Sequence, residues 1–135
     1  MTTIYVDTSA WATLVKEEPE SETFAGYVDG RLDAGDDFVS SALLMTEMGR
    51  LAERFAVDRT VLADALDEVN LFVPDMSVYR DAGRLVGQSL RSLDALHLAH
   101  CVALDADLLA SYDARLLAAA RGLGIRTISP SPTAA

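Results

Sequence analysis

The chain has 135 residues, 50% of them apolar, which is enough for one domain with a real core and too few for a second. Acidic residues outnumber basic ones 21 to 11, a formal net charge of -10 that excludes a simple basic surface for holding nucleic acid or anionic lipid; a polyanionic partner would need positive charge from another source. Cys101 is the single cysteine and excludes an intrachain disulfide, no apolar run approaches the roughly 20 residues of a membrane span, and Met1 leads almost directly into the first strand with no room for a signal peptide, so a cytoplasmic chain without a membrane partner is expected.

The first predicted element is also the most informative. Ile4-Tyr5-Val6 is a short apolar run that stops on Asp7, and Thr8 or Ser9 then reads as the start of a helix through Val15. Asp7 thus stands at the carboxyl end of a strand, the edge of an α/β sheet where ligands bind. Pro19-Glu20-Ser21-Glu22 is a turn into a helix from Thr23 to about Leu32, and Phe38-Val39-Ser40 is a second strand. Ser41 is expected to cap a long helix on which Leu44, Met48, Leu51 and Phe55 form one apolar stripe, with Glu47 at its border. Asp58-Arg59-Thr60 opens a helix to about Val69, Leu71-Phe72-Val73 gives a third strand, and a helix follows from Ser77 to about Leu90.

Leu93 to Leu104 differs from the other helices because apolar residues lie all round it, interrupted by Asp94, His97 and His100. Such a helix is buried centrally. Leu108 to Ser111 is a fourth strand ending on Tyr112-Asp113, Ala114 to Arg121 a helix closed by Gly122 or Gly124, and Ile125 to Ile128 a fifth strand. Strands alternating with helices define an α/β fold, a three-layer α/β/α sandwich around a central, mainly parallel five-stranded sheet with right-handed crossovers. Residues 1–129 are expected to form the single domain and residues 130–135 a flexible tail.

Two strands end on an acid followed at once by a helix, which places Asp7 and Asp113 on one edge of the sheet. An aspartate there can be a plain N-cap, accepting backbone N–H groups and favoured by the helix dipole. Asp94 stands in the first turn of a helix that reads as buried, where an unpaired carboxylate would be costly and needs a cation or several donors. Glu47 could pair with Arg50 or Arg54, yet an exposed pair contributes under about 1 kcal/mol, and a functional acid at the rim of the core accounts better for its position. Acids at strand ends and first helical turns, without a histidine and cysteine cluster, describe an all-oxygen site for Mg²⁺, which keeps waters and leaves positions for phosphate oxygens. One or two such ions activate water for in-line attack on phosphorus and supply the positive charge this acidic chain lacks.

These residues carry a resemblance. Val-Asp-Thr-Ser near the N-terminus, Glu47 within Ser-Ala-Leu-Leu-Met-Thr-Glu-Met-Gly-Arg, then Leu-Asp-Ala-Leu-His-Leu-Ala from Leu93, and Ser-Tyr-Asp-Ala-Arg-Leu from Ser111 resemble the PIN-domain ribonucleases, and more closely the VapC toxins of bacterial type II toxin–antitoxin systems. The resemblance implies a PIN-like sandwich and a metal-dependent endoribonuclease that hydrolyses RNA phosphodiester bonds. It implies that Asp7, Glu47, Asp94 and Asp113 are the catalytic acids, with Asp7 and Asp94 the central ligands of Mg²⁺ or Mn²⁺, and that Ser9 and Ser111 are hydroxyl donors orienting them. It further implies an RNA substrate, a VapB-like antitoxin that blocks the site, and a homodimer. The fourth block usually reads Thr-x-Asp, and Ser-Tyr-Asp here keeps the hydroxyl.

Other residues attract plainer readings. His97 belongs to the Asp-Ala-Leu-His block and reads as a satisfied core histidine, and neither it nor His100 is expected to ligate a hard ion. Trp11 reads as core or dimer surface, Cys101 as a buried small hydrophobe, and Arg115, two residues past Asp113, as the first choice for an RNA contact. A haloacid-dehalogenase-like phosphatase also starts with Asp at the end of its first strand, but needs a second Asp where Ser9 stands and a later lysine that is missing. A non-catalytic interaction module, with the acids only as caps, predicts no divalent-ion binding.

Overall fold

The computed structural model describes residues 1–87 and 89–132. Five strands, β1 (Thr3–Val6), β2 (Asp37–Ser41), β3 (Asn70–Phe72), β4 (Leu108–Ala110) and β5 (Thr127–Ile128), form one sheet in the order β3-β2-β1-β4-β5. Every pairing is parallel. Among the described residues the intervening helices are α1 (Thr8–Trp11, continued by a 3₁₀ turn over Ala12–Leu14), α2 (Ser21–Asp33), α3 (Leu43–Phe55), α4 (Arg59–Asp67), α5 (Met76–Gly83), α6 (Ser92–Ala103) and α7 (Ala114–Gly122). None is long and apolar enough to cross a membrane.

Alternation along the central strands builds the two faces. Ile4 and Val6 point into a cluster with Trp11, Phe24, Val28, Phe38, Leu44 and Met48, while Tyr5 points the other way, into a cluster with Val39, Leu98, Cys101, Leu109 and Leu116. A sheet covered on both sides must be apolar on both sides, and β1 is buried from Ile4 to Val6. Trp11 is core: it is fully buried and its indole N–H donates to the Ala65 carbonyl at 2.8 Å. The winding direction reverses between β1 and β4, so the carboxyl ends of these two strands form the crevice of a doubly wound sheet.

Several elements differ from the sequence reading. The first helix is capped by Asp7 itself, which accepts from Ala10 N, and not by Thr8 or Ser9. Ser41 ends β2 and its Oγ accepts at 3.2 Å from the backbone N of Leu43, the first residue of α3, while Ala42 holds the cap position itself. Phe55 leaves the apolar stripe and is 49% exposed, Ala52 taking the buried position. The Lys16 ammonium lies 4.7 Å from the centre of the Phe55 ring. The helix expected to reach Leu90 stops at Gly83, and further on Gly87 adopts φ +142, a conformation outside any helix and open chiefly to glycine. Helix α6 is buried from Ala95 to Cys101, but its entrance is not, with Leu93 49% exposed and Asp94 partly so. Beyond β5, Ser129 Oγ donates to the Ser111 carbonyl at 2.6 Å and the Tyr112 hydroxyl donates to the Pro130 carbonyl. The chain is thereby tied to the end of β4, and residues 133–135 of the expected tail lie outside the described residues.

Candidate active site

Asp7 leaves β1 at the crevice and is 4% exposed. Three donors converge on it: Ala10 N at 3.1 Å, Ser9 Oγ at 2.8 and 2.9 Å to its two oxygens, and Ser111 Oγ at 2.8 Å. An ionised carboxylate only accepts, so both hydroxyls donate to Asp7. Tyr112 N and Asp113 N occupy hydroxyl lone pairs as donors to Ser9 Oγ and Ser111 Oγ, and the two hydroxyl oxygens lie 3.2 Å apart. Burial raises the Asp7 carboxyl above its ordinary pKa of 3.8, and the two serines pull it back only in part. Asp7 is thus a cap, as the plain reading holds, and carries two further donors that a cap does not require.

Glu47 projects from α3, the helix that follows β2, and does not pair with Arg50 or Arg54. Its Oε1 accepts from Thr8 Oγ1 at 2.8 Å and lies 2.9 Å from His97 Nε2. Asp94 stands in the first turn of α6, and its pKa is raised by burial and then by the negative charge of Asp113, effects that the bonding at Arg91 and the charges of His97 and Arg91 reduce without cancelling. Asp113 caps α7, accepting from Arg115 N at 2.9 Å and Leu116 N at 3.2 Å. A cleft of about 570 Å³ is lined by Glu47, Asp94 and Asp113 together with Arg91 and Arg115. Asp7 is not part of that wall; it is joined to it through Ser111, which bonds Asp113 N, and through its neighbour Thr8, which bonds Glu47.

Three of the four sequence-predicted acids, Glu47, Asp94 and Asp113, thus line one cleft, and the fourth, Asp7, is linked to it through Ser111 and Thr8 at the carboxyl ends of β1 and β4. Among the described residues neither Asp7, Asp94 nor Asp113 is ion-paired with a lysine or arginine. No group of three acids, imidazoles or thiols stands in ligating arrangement among them either. The donors are hard carboxylate oxygens, and an ion that takes one or two carboxylates and keeps its waters fits so open a set better than one that needs a closed cage. Two further side chains contribute: Thr8, whose sequence context marks only a helix start, and His97, whose pattern marks only core but whose place one turn after Asp94 is the signal that it shares the site's side of α6.

A PIN-domain family model matches residues 4–122. Ribonuclease VapC46 of Mycobacterium tuberculosis is 39% identical over 134 residues, covering 97% of this chain and 100% of its own length. Among solved structures, M. tuberculosis VapC20, described as a sarcin-ricin loop cleaving toxin, superposes with a TM-score of 0.67 at 21% identity, covering 86% of this chain and 94% of that one. VapBC2 from Rickettsia felis, bound to a DNA fragment from its promoter, gives 0.66 at 11% identity over 94% and 98%. With the acids gathered at the switch point of a wholly parallel 3-2-1-4-5 sheet, the family match over most of the chain settles its kinship: this chain belongs to the PIN-domain family, as a VapC-type member.

Proposed function

We propose that this chain is the ribonuclease toxin of a toxin–antitoxin pair, a single PIN domain over residues 1–129 that cleaves RNA internally with Mg²⁺ or Mn²⁺. The observation that carries the reading is that Glu47, Asp94 and Asp113 line one cleft with Asp7 buried behind it and joined to it through Ser111 and Thr8, burial raising the carboxyls of Asp7 and Asp94 and the charge of Asp113 raising Asp94 further. Capping accounts for Asp7 and Asp113 in part, but burial opposes the charged forms of Asp7 and Asp94, and a cation would offset that cost. Asp7 and Asp94 would hold the ion, with Glu47 and Asp113 beside them. When bound, a divalent ion supplies a Lewis acid that lowers the pKa of a water and offsets charge developing on the phosphate.

The chain's own residues account for the rest. Ser9 and Ser111 fix the Asp7 oxygens, so the carboxylate is ordered before any ligand arrives. Arg115 and Arg91 line the cleft and would contact backbone phosphates, a local exception to the acidic surface. The haloacid-dehalogenase-like alternative loses ground, since Ser9 stands where its acid/base would be and its hydroxyl proton is committed to Asp7. The partners proposed are an RNA substrate, a VapB-like antitoxin that closes the site, and a second copy of the chain, all in the cytoplasm.

Incubation of the purified chain, free of any antitoxin, with mixed structured RNA tests this directly. Discrete fragments that need Mg²⁺ or Mn²⁺, stop with EDTA and vanish in Asp7→Asn are expected. If wild type and variant are equally inert and calorimetry finds no divalent-ion binding, the acids are caps and the interaction module replaces the nuclease.

A further inference from the structure

We propose that His97 and Tyr5 are positioning residues for Glu47, forming a buried relay that decides which oxygen of that carboxylate faces the cleft. The inference rests on the nuclease reading above for its consequence, and on geometry alone for its substance. His97, 3% exposed, reaches from α6 to two other elements: its Nδ1 lies 2.6 Å from the Tyr5 hydroxyl on β1 and its Nε2 lies 2.9 Å from Glu47 Oε1 on α3. A carboxylate only accepts, so Nε2 carries a proton. In the tautomer with its proton on Nε2 alone, Nδ1 is an acceptor and the Tyr5 hydroxyl donates to it.

Thr8 Oγ1 donates to the same Oε1 at 2.8 Å. Both of the donors that Glu47 receives among the described residues thus fall on one oxygen. Oε2 is left without a protein donor on a side chain that lines the cleft. A histidine buried for packing alone would not need an acid from the site as its partner. His100, three residues on along α6, provides the contrast, being equally buried at 3% with its Nδ1 lacking any partner among the described residues.

The test reads the tautomer and the metal separately from turnover. Nitrogen chemical shifts of the His97 ring in the wild-type chain are expected to report a proton on Nε2 with Nδ1 unprotonated. In Tyr5→Phe, which keeps the ring in the core and removes only the hydroxyl, the tautomers should mix, Mn²⁺ affinity should fall about 10-fold to 100-fold, and kcat for RNA cleavage should fall by more than KM changes. His97→Leu should reproduce the loss, and His97→Gln, which can still offer Glu47 an N–H, should recover part of it. A proton on Nδ1 in the wild type, or unchanged Mn²⁺ affinity and kcat in both Tyr5→Phe and His97→Leu, would overturn the relay. A wild-type chain inert towards RNA and Mn²⁺ overturns the nuclease reading instead, and the nitrogen shifts then still decide whether the relay holds Glu47.

Discussion

The two ends of the sheet treat their acids in opposite ways. At the amino end Asp36, 8% exposed, accepts from Thr2 N at 2.7 Å and has the Arg31 Nε 2.9 Å from its other oxygen, and Asp107 accepts from Thr3 N at 2.8 Å. These acids tie the first residues of β1 to the loops on either side, and Asp36 has its own cation. At the carboxyl end Asp7 is as deeply buried and receives three donors but no cation, and Asp94 faces the charge of Asp113. The difference separates an acid paired with a cation of the fold from acids that, on the proposed reading, would hold a divalent ion. Hydrogen bonds alone do not make the distinction, since both ends have them; the missing countercharge does.

Exchanging carboxylate for amide at each end breaks the comparison most sharply. Asp7→Asn should remove more than about 100-fold of the RNA cleavage rate, beyond the loss expected for an outer partner of a metal site, while the chain still folds. Asp36→Asn should do the reverse, leaving cleavage per folded molecule unchanged and costing about 1 to 3 kcal/mol of stability, because Arg31 is left beside a neutral group. Urea unfolding and a cleavage assay on both variants check this. Equal effects of the two changes on turnover would erase the distinction between the ends.

Ser111→Ala asks how much of the carboxyl end is prepared in advance. Ser111 is fully buried, gives its proton to Asp7 and accepts from Asp113 N, so alanine leaves an N–H and a carboxylate lone pair unsatisfied at once. A stability loss of about 1 to 3 kcal/mol is expected, together with a 10-fold to 100-fold loss of Mn²⁺ affinity that calorimetry would register.

Much of this was legible in the chain, and the parts that were not have physical reasons. Strand runs such as Ile4-Tyr5-Val6 and the acids that end them follow from local pattern, so the positions of Asp7 and Asp113 on one edge could be derived before any coordinates. Asp94 needed the apolar surroundings of α6, and Glu47 needed the stripe on α3. The link between His97 and Glu47 is 50 residues long and that between Ser111 and Asp7 is 104, and no periodicity encodes which side chains meet across such distances. Helix ends were read less well than helix existence. The positive φ of Gly87 is a backbone geometry that a glycine permits without announcing. Phe55 left the core because Ala52 sits nearer the middle of the buried face, a matter of helix orientation that spacing alone leaves open.

Protonation offers a gentler probe of the same contrast. Burial and the charge of Asp113 raise the Asp94 pKa above 3.8 in the folded chain, so the folded state binds a proton more tightly there than the unfolded one. The associated stability is present in acid and is lost as pH rises from about 3.8 through the raised folded value. In the metal-free chain Asp94→Asn should therefore melt higher than wild type at pH 7, and the gap should close as the pH is lowered towards 3.8. Saturating Mn²⁺ should also close it, from the other side, by stabilising the wild type. A variant that melts below wild type at neutral pH without metal would mean that Asp94 is already satisfied by the protein.

The smallest effect belongs to Arg115, whose side chain lines the cleft from the exposed first turn of α7. Removing it should leave the melting temperature nearly untouched, a change within about 0.5 kcal/mol, because the fold uses its backbone N–H as a donor to Asp113 and asks nothing of its guanidinium. If the guanidinium meets a phosphate, Arg115→Ala should raise KM for RNA by a few-fold with kcat little changed, and the slope of binding against salt should fall by about one counterion. The acids and the arginine then divide the work along the same line as the two ends of the sheet. Groups that hold the ion should appear in kcat and in Mn²⁺ affinity, and groups that only hold the substrate should appear in KM and in salt dependence. A loss of kcat in Arg115→Ala without any change in the salt slope would place its charge with the reacting phosphate, and would move the boundary of the catalytic group from the four acids to include it.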